Sequence, residues 1–119
     1  MDKRRILDRL RHMEEAATAA QRLLNGKALA EYSADRDLAA AVERYLERLS
    51  EASRHIPDAL KARHPGIDWR GVADIGNVLR HAYDQVSDKR VIATVTEDLP
   101  GLKAAIEALL RDVEETEDR

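Results

Sequence analysis

The sequence predicts an all-α fold, namely an up-and-down antiparallel bundle of about five helices that forms a single domain over residues 1–119. Glycine and proline are scarce, with five and three residues, and phenylalanine is absent. Alanine, leucine, glutamate and arginine dominate instead, which is the composition of packed helices. Apolar residues also recur at steps of three and four, the spacing of one helical face. The segments with this spacing are joined by short connections, which favours antiparallel neighbours.

Two long helices are predicted in the first half of the chain. The first runs over Asp2–Leu24 and stops at Asn25-Gly26, because a glycine just past the last apolar position is a common helix end. The second begins within Ser33–Asp35 and continues to the break at Pro57. Its predicted buried stripe consists of Leu38, Val42, Tyr45, Leu49, Ala52 and Ile56.

The second half contains shorter segments and more breaking residues. A short helix can open at Pro57-Asp58 and run through Arg63, before the breaking sequence His64-Pro65-Gly66. Asp68 is predicted to cap the next helix, which begins near Trp69 and runs to about Tyr83. Trp69 is expected to anchor the start of this helix, with its ring in the core and its indole N–H on a carbonyl.

The last part of the chain resumes helical spacing after a polar stretch, residues 84–88, which is predicted to end the preceding helix. Val91, Ile92 and Val95 begin the new apolar stripe. Pro100-Gly101 is expected to kink or restart the helix after Leu99. The final helix carries Leu102, Ile106, Leu109 and Val113, and its tail, residues 114–119, is expected to fray.

Composition excludes several chemistries and locations. The chain has no cysteine, which excludes disulfides, thiolate metal sites and a thiol nucleophile. His12, His55 and His64 share no metal-ligand spacing, so surface or helix-end roles are expected for them. No metal and no other cofactor is predicted. No apolar run approaches the roughly 20 residues that cross a bilayer. The prediction is therefore a cytoplasmic protein that makes no contact with membranes.

The net charge of −3 gives no overall attraction to nucleic acid, so RNA binding would depend on a local basic patch or on a groove between subunits. Basic residues are most frequent in the middle of the chain. They are Arg54, Lys61, Arg63, Arg70, Arg80, Lys89 and Arg90. Aspartates interspersed among them offset much of this charge, so weak or partner-dependent RNA binding is expected.

The predicted helix from Trp69 has two contrasting faces on a helical wheel. The apolar stripe, which should face the core, consists of Val72, Ile75, Leu79, Tyr83 and Val86. The opposite stripe consists of Arg70, Asp74, Asn77, His81 and Asp84. A solvated surface is the simplest interpretation of the polar stripe. However, His81 can transfer a proton near neutral pH, and the adjacent Arg80 carries a planar donor group suited to phosphate, a combination that fits RNA cleavage.

Residues 69–87, WRGVADIGNVLRHAYDQVS, resemble the signature helix of HepT-like HEPN proteins, which reads Arg-Asn-x-x-x-His-x-Tyr. Asn77, His81 and Tyr83 occupy the asparagine, histidine and tyrosine places with the spacing intact. The arginine place is taken by Gly76, and Arg80 is a candidate substitute. The resemblance also covers AVERYLERLSEA, HPGIDW and EDLPGLKAAIEALL, and thus most of the chain.

The resemblance implies a toxin of a HEPN and nucleotidyltransferase toxin–antitoxin pair that cleaves RNA without a metal. In this family two signature helices meet in a homodimer and line one cleft. His81 would be the general base or acid, Arg80 would stabilise charge on the phosphate, and Asn77 would orient His81 or bind phosphate. Tyr83 would be the acceptor of AMP groups added by an MntA-like nucleotidyltransferase antitoxin, and this modification silences the nuclease.

Simpler interpretations of these residues stay open. Asn77 could be a surface amide bonded to a neighbouring side chain, and Tyr83 could be a half-buried ring with its hydroxyl at the rim. With Gly76 in the arginine place, the whole chain could instead be a catalytically inactive HEPN binding module that partners a nucleotidyltransferase. A purely structural helical dimer would leave the spacing of Asn77, His81 and Tyr83 as coincidence.

Overall fold

The computed structural model describes residues 2–80 and 85–116, without the side chains of residues 85–87. These residues form α-helices and one π-helical turn, and no strand occurs among them, which confirms the predicted all-α fold. In chain order the elements are α1 (Lys3–Leu24), α2 (Leu29–Ala34), α3 (Arg36–Ser53), α4 (Asp58–Lys61), α5 (Trp69–Arg80), α6 (Gln85–Ala93), a π-helical turn (Thr94–Asp98) and α7 (Leu99–Glu115). None of the described helices is both long and apolar enough to cross a membrane.

The core lies between α1, α3 and α7, and α1 packs against both of the other two. Helices α1 and α7 are antiparallel. The Lys3 Nζ near the start of α1 donates to the Thr116 carbonyl at 2.7 Å, just past the end of α7. At the opposite ends of the two helices, Arg22 and Lys103 line one surface depression. As predicted, α1 stops before Gly26, which takes a positive φ of 74° that favours glycine.

A short helix that was not predicted, α2, precedes α3. The Glu31 Oε1 accepts a hydrogen bond from the Ala28 backbone N–H at 3.1 Å, which satisfies one of the free donors at the helix start. The Tyr32 side chain is fully buried in the core. Asp35 then caps α3, since its Oδ1 accepts from the Leu38 N–H at 3.0 Å. The predicted start of the second helix within residues 33–35 is therefore close to the observed start.

The prediction that residues 84–88 break the helical pattern is wrong for residues 85–88, which form the first turn of α6. The Asp88 carboxylate is buried and has tertiary partners. Its Oδ2 accepts from the Ser33 Oγ at 2.8 Å and lies 3.6 Å from the Arg36 Nη1. These contacts satisfy a charge that would otherwise favour solvent. The predicted end of the preceding helix near Tyr83 lies outside the described residues.

The helical chain continues from α6 into α7 through the π-helical turn. The Leu99 N–H bonds to the Thr94 carbonyl, five residues earlier, in place of the usual four. Helix α7 begins at Leu99, and Pro100 falls in its first turn, where the missing N–H of proline has no intrahelical partner to lose. The expected restart is therefore a widened π-helical turn just before Leu99, and the helical chain is not interrupted there.

Candidate functional site

The start of α5 is fixed by two residues, as predicted. The Asp68 Oδ1 accepts from the Gly71 N–H at 3.0 Å, which is an N-terminal cap. The Trp69 ring packs against the core, and its Nε1 donates to the carbonyls of Lys61 and His64 at 3.0 and 3.1 Å. These bonds attach the start of α5 to the end of α4 and to the segment that follows α4.

Helix α5 is attached to α3 at a close contact around Gly76. The Ser50 Oγ donates to the Ala73 carbonyl at 2.9 Å and accepts from the Gly76 N–H at 3.4 Å. Ser50 is 1% exposed, and Gly76 is the one residue of α5 that is buried. The small size of serine and glycine allows the two backbones to approach, so that one hydroxyl bridges both helices.

The predicted faces of α5 are correct in direction but not in depth. Val72, Ile75 and Leu79 pack against the core yet are only half-buried, and the deepest point of the helix is Gly76. On the other side, Asn77 is exposed, as are Arg70 and Asp74. The predicted faces followed from the hydropathy of the side chains. The close contact with α3, however, is made at Gly76, which has no side chain.

A groove of about 890 Å³ separates α5 from the run of helix formed by α6, the π-helical turn and α7. Its α5 wall includes the apolar residues Ile75 and Val78 and the polar residues Asp74 and Asn77. The opposite wall includes Arg90 among the residues that precede α7. The apolar side of α5 thus faces open space along part of its length.

Arg80 lies beside the place where the family motif has its arginine. A Cβ atom added to Gly76 would lie 3.6 Å from the Arg80 Nη1 and 3.8 Å from the Ser50 Oγ. The Arg80 guanidinium therefore reaches back by one helical turn toward position 76, and Arg80 is exposed. This geometry is compatible with the expected substitution of Arg80 for the missing arginine.

Arg54, at the C-terminal end of α3, also contacts this part of α5. Its Nε and Nη2 both donate to the Ala73 carbonyl, at 3.1 and 2.7 Å. Its Nη1 lies 3.6 Å from the Glu51 Oε2. The sequence indicated Arg54 only as one member of a dispersed basic patch. Its partner is a backbone carbonyl, and no pattern of side chains in a sequence indicates such a contact.

The remaining predicted site residues, His81 and Tyr83, lie outside the described residues. Among the other histidines, His55 lies on the chain after α3, with its Nε2 3.2 Å from the Glu51 Oε1. The ranges 2–80 and 85–116 contain no cluster of three or more histidine and acidic side chains that could hold a metal ion. The predicted basic patch is divided, since Arg63 lies 3.7 Å from Asp112 on α7 and Arg90 lines the groove.

A second polar cluster lies where α2, α3 and α6 meet. Burial raises the pKa of the Tyr32 phenol, and the nearby carboxylates of Glu43 and Asp88 raise it further. Burial also raises the pKa of Glu43, against the opposing effect of Arg36. The Tyr32 hydroxyl has no hydrogen-bond partner among the described residues. The hydrogen bond from Ser33 to Asp88 joins α6 to α2 at this cluster.

Comparison with known proteins identifies the family to which this fold and this helix belong. A family model described as "Ribonuclease HepT-like" matches residues 13–109. The chain belongs to the HepT-like ribonuclease family. This result confirms the resemblance found in the signature helix. Gly76 is thus a departure within a HepT-like protein rather than a sign of a different family.

Several relatives of this HepT-like chain have been named. It is 36% identical over 107 residues to a Thermococcus cleftensis protein named "probable ribonuclease HepT", covering 90% of this chain and 97% of the relative. It is 33% identical over 67 residues to a Methanocaldococcus jannaschii protein with a provisional RNase name, covering 56% of this chain and 62% of that relative. A similarly named Caldanaerobacter subterraneus protein is 24% identical over 88 residues, covering 74% and 79% of the two chains. No solved structure matches the chain.

Proposed function

We propose that this chain is an endoribonuclease that cleaves RNA without a metal and uses His81 for proton transfer. The observation that carries the proposal is the placement of two polar side chains at the end of α5. Asn77 is exposed and precedes His81 by four residues in the sequence, and the Arg80 guanidinium lies beside Gly76, where the family motif has its arginine. Within a family described as ribonucleases, Arg80 would supply a phosphate-binding group at the residue that precedes the motif histidine in the sequence.

The reaction follows from the chemistry of these groups. The ribose 2′-hydroxyl loses its proton to a base and attacks the adjacent phosphorus, so that an O2′–P bond forms while the P–O5′ bond breaks. The departing 5′ oxygen takes up a proton. His81 accepts the first proton or supplies the second, a role suited to an imidazole. Arg80 stabilises the negative charge that grows on the phosphate oxygens, and Asn77 orients His81 or the phosphate.

A homodimer would bring two such sites together. Ile75 and Val78 lie on the side of α5 that faces the groove, and they are only half-buried in one chain. Contact between two α5 helices would cover this apolar surface. It would also place two copies of the polar motif in one cleft, where a negatively charged RNA backbone could be held from both sides.

In its cellular context, we propose a cytoplasmic toxin restrained by a nucleotidyltransferase antitoxin. Transfer of AMP from ATP to the Tyr83 hydroxyl, with release of pyrophosphate, would add bulk and negative charge two residues from His81 in the sequence. Both changes oppose the approach of an RNA phosphate.

Gly76 favours a second candidate function, a catalytically inactive module that binds the nucleotidyltransferase. The family motif has an arginine at this position, whereas here the position is buried against Ser50. If Arg80 does not replace the missing group, the protein keeps the fold and the partner-binding surface but loses the chemistry. Purified protein that cleaves RNA in the absence of a partner would exclude this alternative.

The test is RNA cleavage by the purified protein in EDTA, with intact mass recorded to show that Tyr83 carries no AMP. His81→Ala is expected to lower the rate by at least about 100-fold. His12→Ala is the matched control, because His12 is an exposed histidine of α1. Equal rates for His81→Ala and the unaltered protein would contradict the proposal. A dimeric, unmodified protein that does not cleave RNA would favour the binding module.

A further inference from the structure

We propose that Arg54 is a phosphate-binding residue of the RNA site, contributed by α3 rather than by the signature helix. The inference rests on the proposed function, because it assigns a further residue to the same site. At the C-terminal end of α3, the Arg54 guanidinium is bonded to the Ala73 carbonyl of α5. Ala73 precedes Gly76, where the family motif has its arginine, by three residues.

The position of the Arg54 guanidinium is fixed by the backbone of α5. Two of its N–H groups donate to the carbonyl oxygen of Ala73, at 3.1 and 2.7 Å. The same oxygen accepts from the Ser50 Oγ, which lies 3.8 Å from the Cβ position of Gly76. On a helix, Ala73 shares a face with Asn77 and precedes Arg80 by two turns. Arg54 therefore adds a cation to the α5 face that carries the motif.

Arg54 has further N–H donors with which it can bind a ligand. A guanidinium has five N–H donors, and the Ala73 carbonyl uses two of them. The side chain is 45% exposed, so solvent and solutes reach it. Its contact with Glu51 is 3.6 Å long and involves a carboxylate whose side chain is 60% exposed. Such surface pairs contribute little to stability, so Glu51 competes only weakly with a phosphate for the Arg54 guanidinium.

A second guanidinium, that of Arg80, borders the same part of α5. Arg80 comes within 3.6 Å of the Cβ position of Gly76, and Arg54 is bonded to the turn that contains it. Two cations on one short stretch of helix repel each other, and a phosphate bound beside them would relieve that repulsion. Planar guanidinium groups also match the paired oxygens of a phosphate. Together, Arg54 and Arg80 take the place of the single motif arginine.

Other arginines of α3 provide the contrast. Arg44 lies 3.7 Å from Glu47 with a side chain that is 71% exposed, and Arg48 lies over the ring of Tyr45. In the part of the chain that the structure describes, neither is bonded to α5. Arg44→Gln therefore removes the same charge from the same helix without altering the site.

The experiment measures binding of a short fluorescent RNA with 2′-O-methyl riboses, which cannot be cleaved by attack of a 2′-hydroxyl, across a series of salt concentrations. Arg54→Gln is expected to weaken binding by about tenfold. It should also reduce the slope of log affinity against log salt by about 0.7, the value for one phosphate contact on a single strand. Arg54→Lys should keep the slope, because the charge is retained, while Arg44→Gln should change neither quantity.

Two results would overturn the inference. One is a slope for Arg54→Gln equal to that of Arg44→Gln, because Arg54 would then serve only to join α3 to α5. The other is an unaltered protein that does not bind this RNA. The proposed nuclease can fail separately, since an unaltered protein that binds the RNA with an Arg54-dependent slope but does not cleave ordinary RNA supports the phosphate site and contradicts catalysis.

Discussion

Helices α3 and α5 carry similar amphipathic patterns, lie side by side and differ in how far their apolar residues are buried. Along α3, Val42, Leu46 and Leu49 are at most 1% exposed, because this helix packs against α1 on one side and α5 on another. Along α5, Gly76 alone is buried, and the larger apolar residues stay half-exposed. The comparison indicates that α3 belongs to the core that maintains the fold, whereas α5 keeps exposed apolar surface that another molecule can cover.

The largest expected difference between the two helices is in stability. Leu49→Ala on α3 should lower the free energy of unfolding by about 4 kcal/mol, because it leaves a cavity in a fully packed region. Leu79→Ala on α5 should cost about 1 kcal/mol, because Leu79 is already half-exposed. Urea unfolding monitored by circular dichroism measures both values. Equal losses for the two variants would mean that α5 is as much a part of the core as α3.

The next effect is on activity. Arg80→Gln on α5 should lower the rate of RNA cleavage by about 100-fold, the usual cost of removing one group that stabilises charge in a transition state. The free energy of unfolding should not change, because Arg80 is exposed. Arg48→Gln, at an exposed arginine of α3, is the control and should leave the rate unchanged. A rate unaffected by Arg80→Gln would show that Arg80 does not replace the missing motif arginine.

A smaller effect is expected at the joint between the two helices. Ser50→Ala removes the hydroxyl that bridges Ala73 and Gly76 and should cost about 1 kcal/mol, with faster hydrogen exchange of the α5 amides. Ser53→Ala is the matched control. Ser53 is also buried, but its Oγ donates to the Ser50 carbonyl within α3. Exchange in α5 that is equally fast in both variants would contradict a specific role for Ser50 in holding α5.

The smallest effect concerns Tyr32, a buried residue of α2. Tyr32→Phe should leave stability at neutral pH unchanged or raise it by less than about 1 kcal/mol, because the hydroxyl removed has no partner among the described residues. Burial raises the pKa of Tyr32, so the neutral phenol is favoured in the folded state. Its contribution is complete below the unfolded pKa of 10.0 and is lost as the pH rises above it.

Unfolding of the unaltered protein and of Tyr32→Phe, followed between neutral pH and pH values above 10.0, checks this prediction. The alkaline loss of stability should be smaller in the variant. Tyr45→Phe, at a half-buried tyrosine of α3, is the control and should retain the loss. An alkaline loss of the same size in Tyr32→Phe would assign it to another group.

The parts of the fold that local chemistry decides were predictable from the sequence. The end of α1 before Gly26, the cap at Asp68 and the anchoring of Trp69 depend on residues close together in the chain. Helix α2 and the first turn of α6 were not, because they depend on tertiary contacts. The Ser33 to Asp88 hydrogen bond joins residues 55 positions apart, and no local pattern records it.

The same distinction applies to the candidate site. The spacing of Asn77, His81 and Tyr83 is a sequence motif and identified the family without a structure. The position of Arg80 beside Gly76 and the bond between Arg54 and the Ala73 carbonyl became visible only in the fold. A backbone carbonyl that accepts a hydrogen bond cannot be recognised from side-chain patterns, so a contact such as that of Arg54 can be found only in the three-dimensional structure.

The most direct test of the account is RNA cleavage per unit of protein, in EDTA, as a function of protein concentration for the unaltered chain and Val78→Asp. Val78 lines the groove beside α5, and a charge there should weaken the contact between two copies. Val78→Asp should be less active than the unaltered protein at low concentration and should approach it as concentration raises the dimer fraction. Equal activity per unit of protein at every concentration would contradict a nuclease site that is completed where two α5 helices meet.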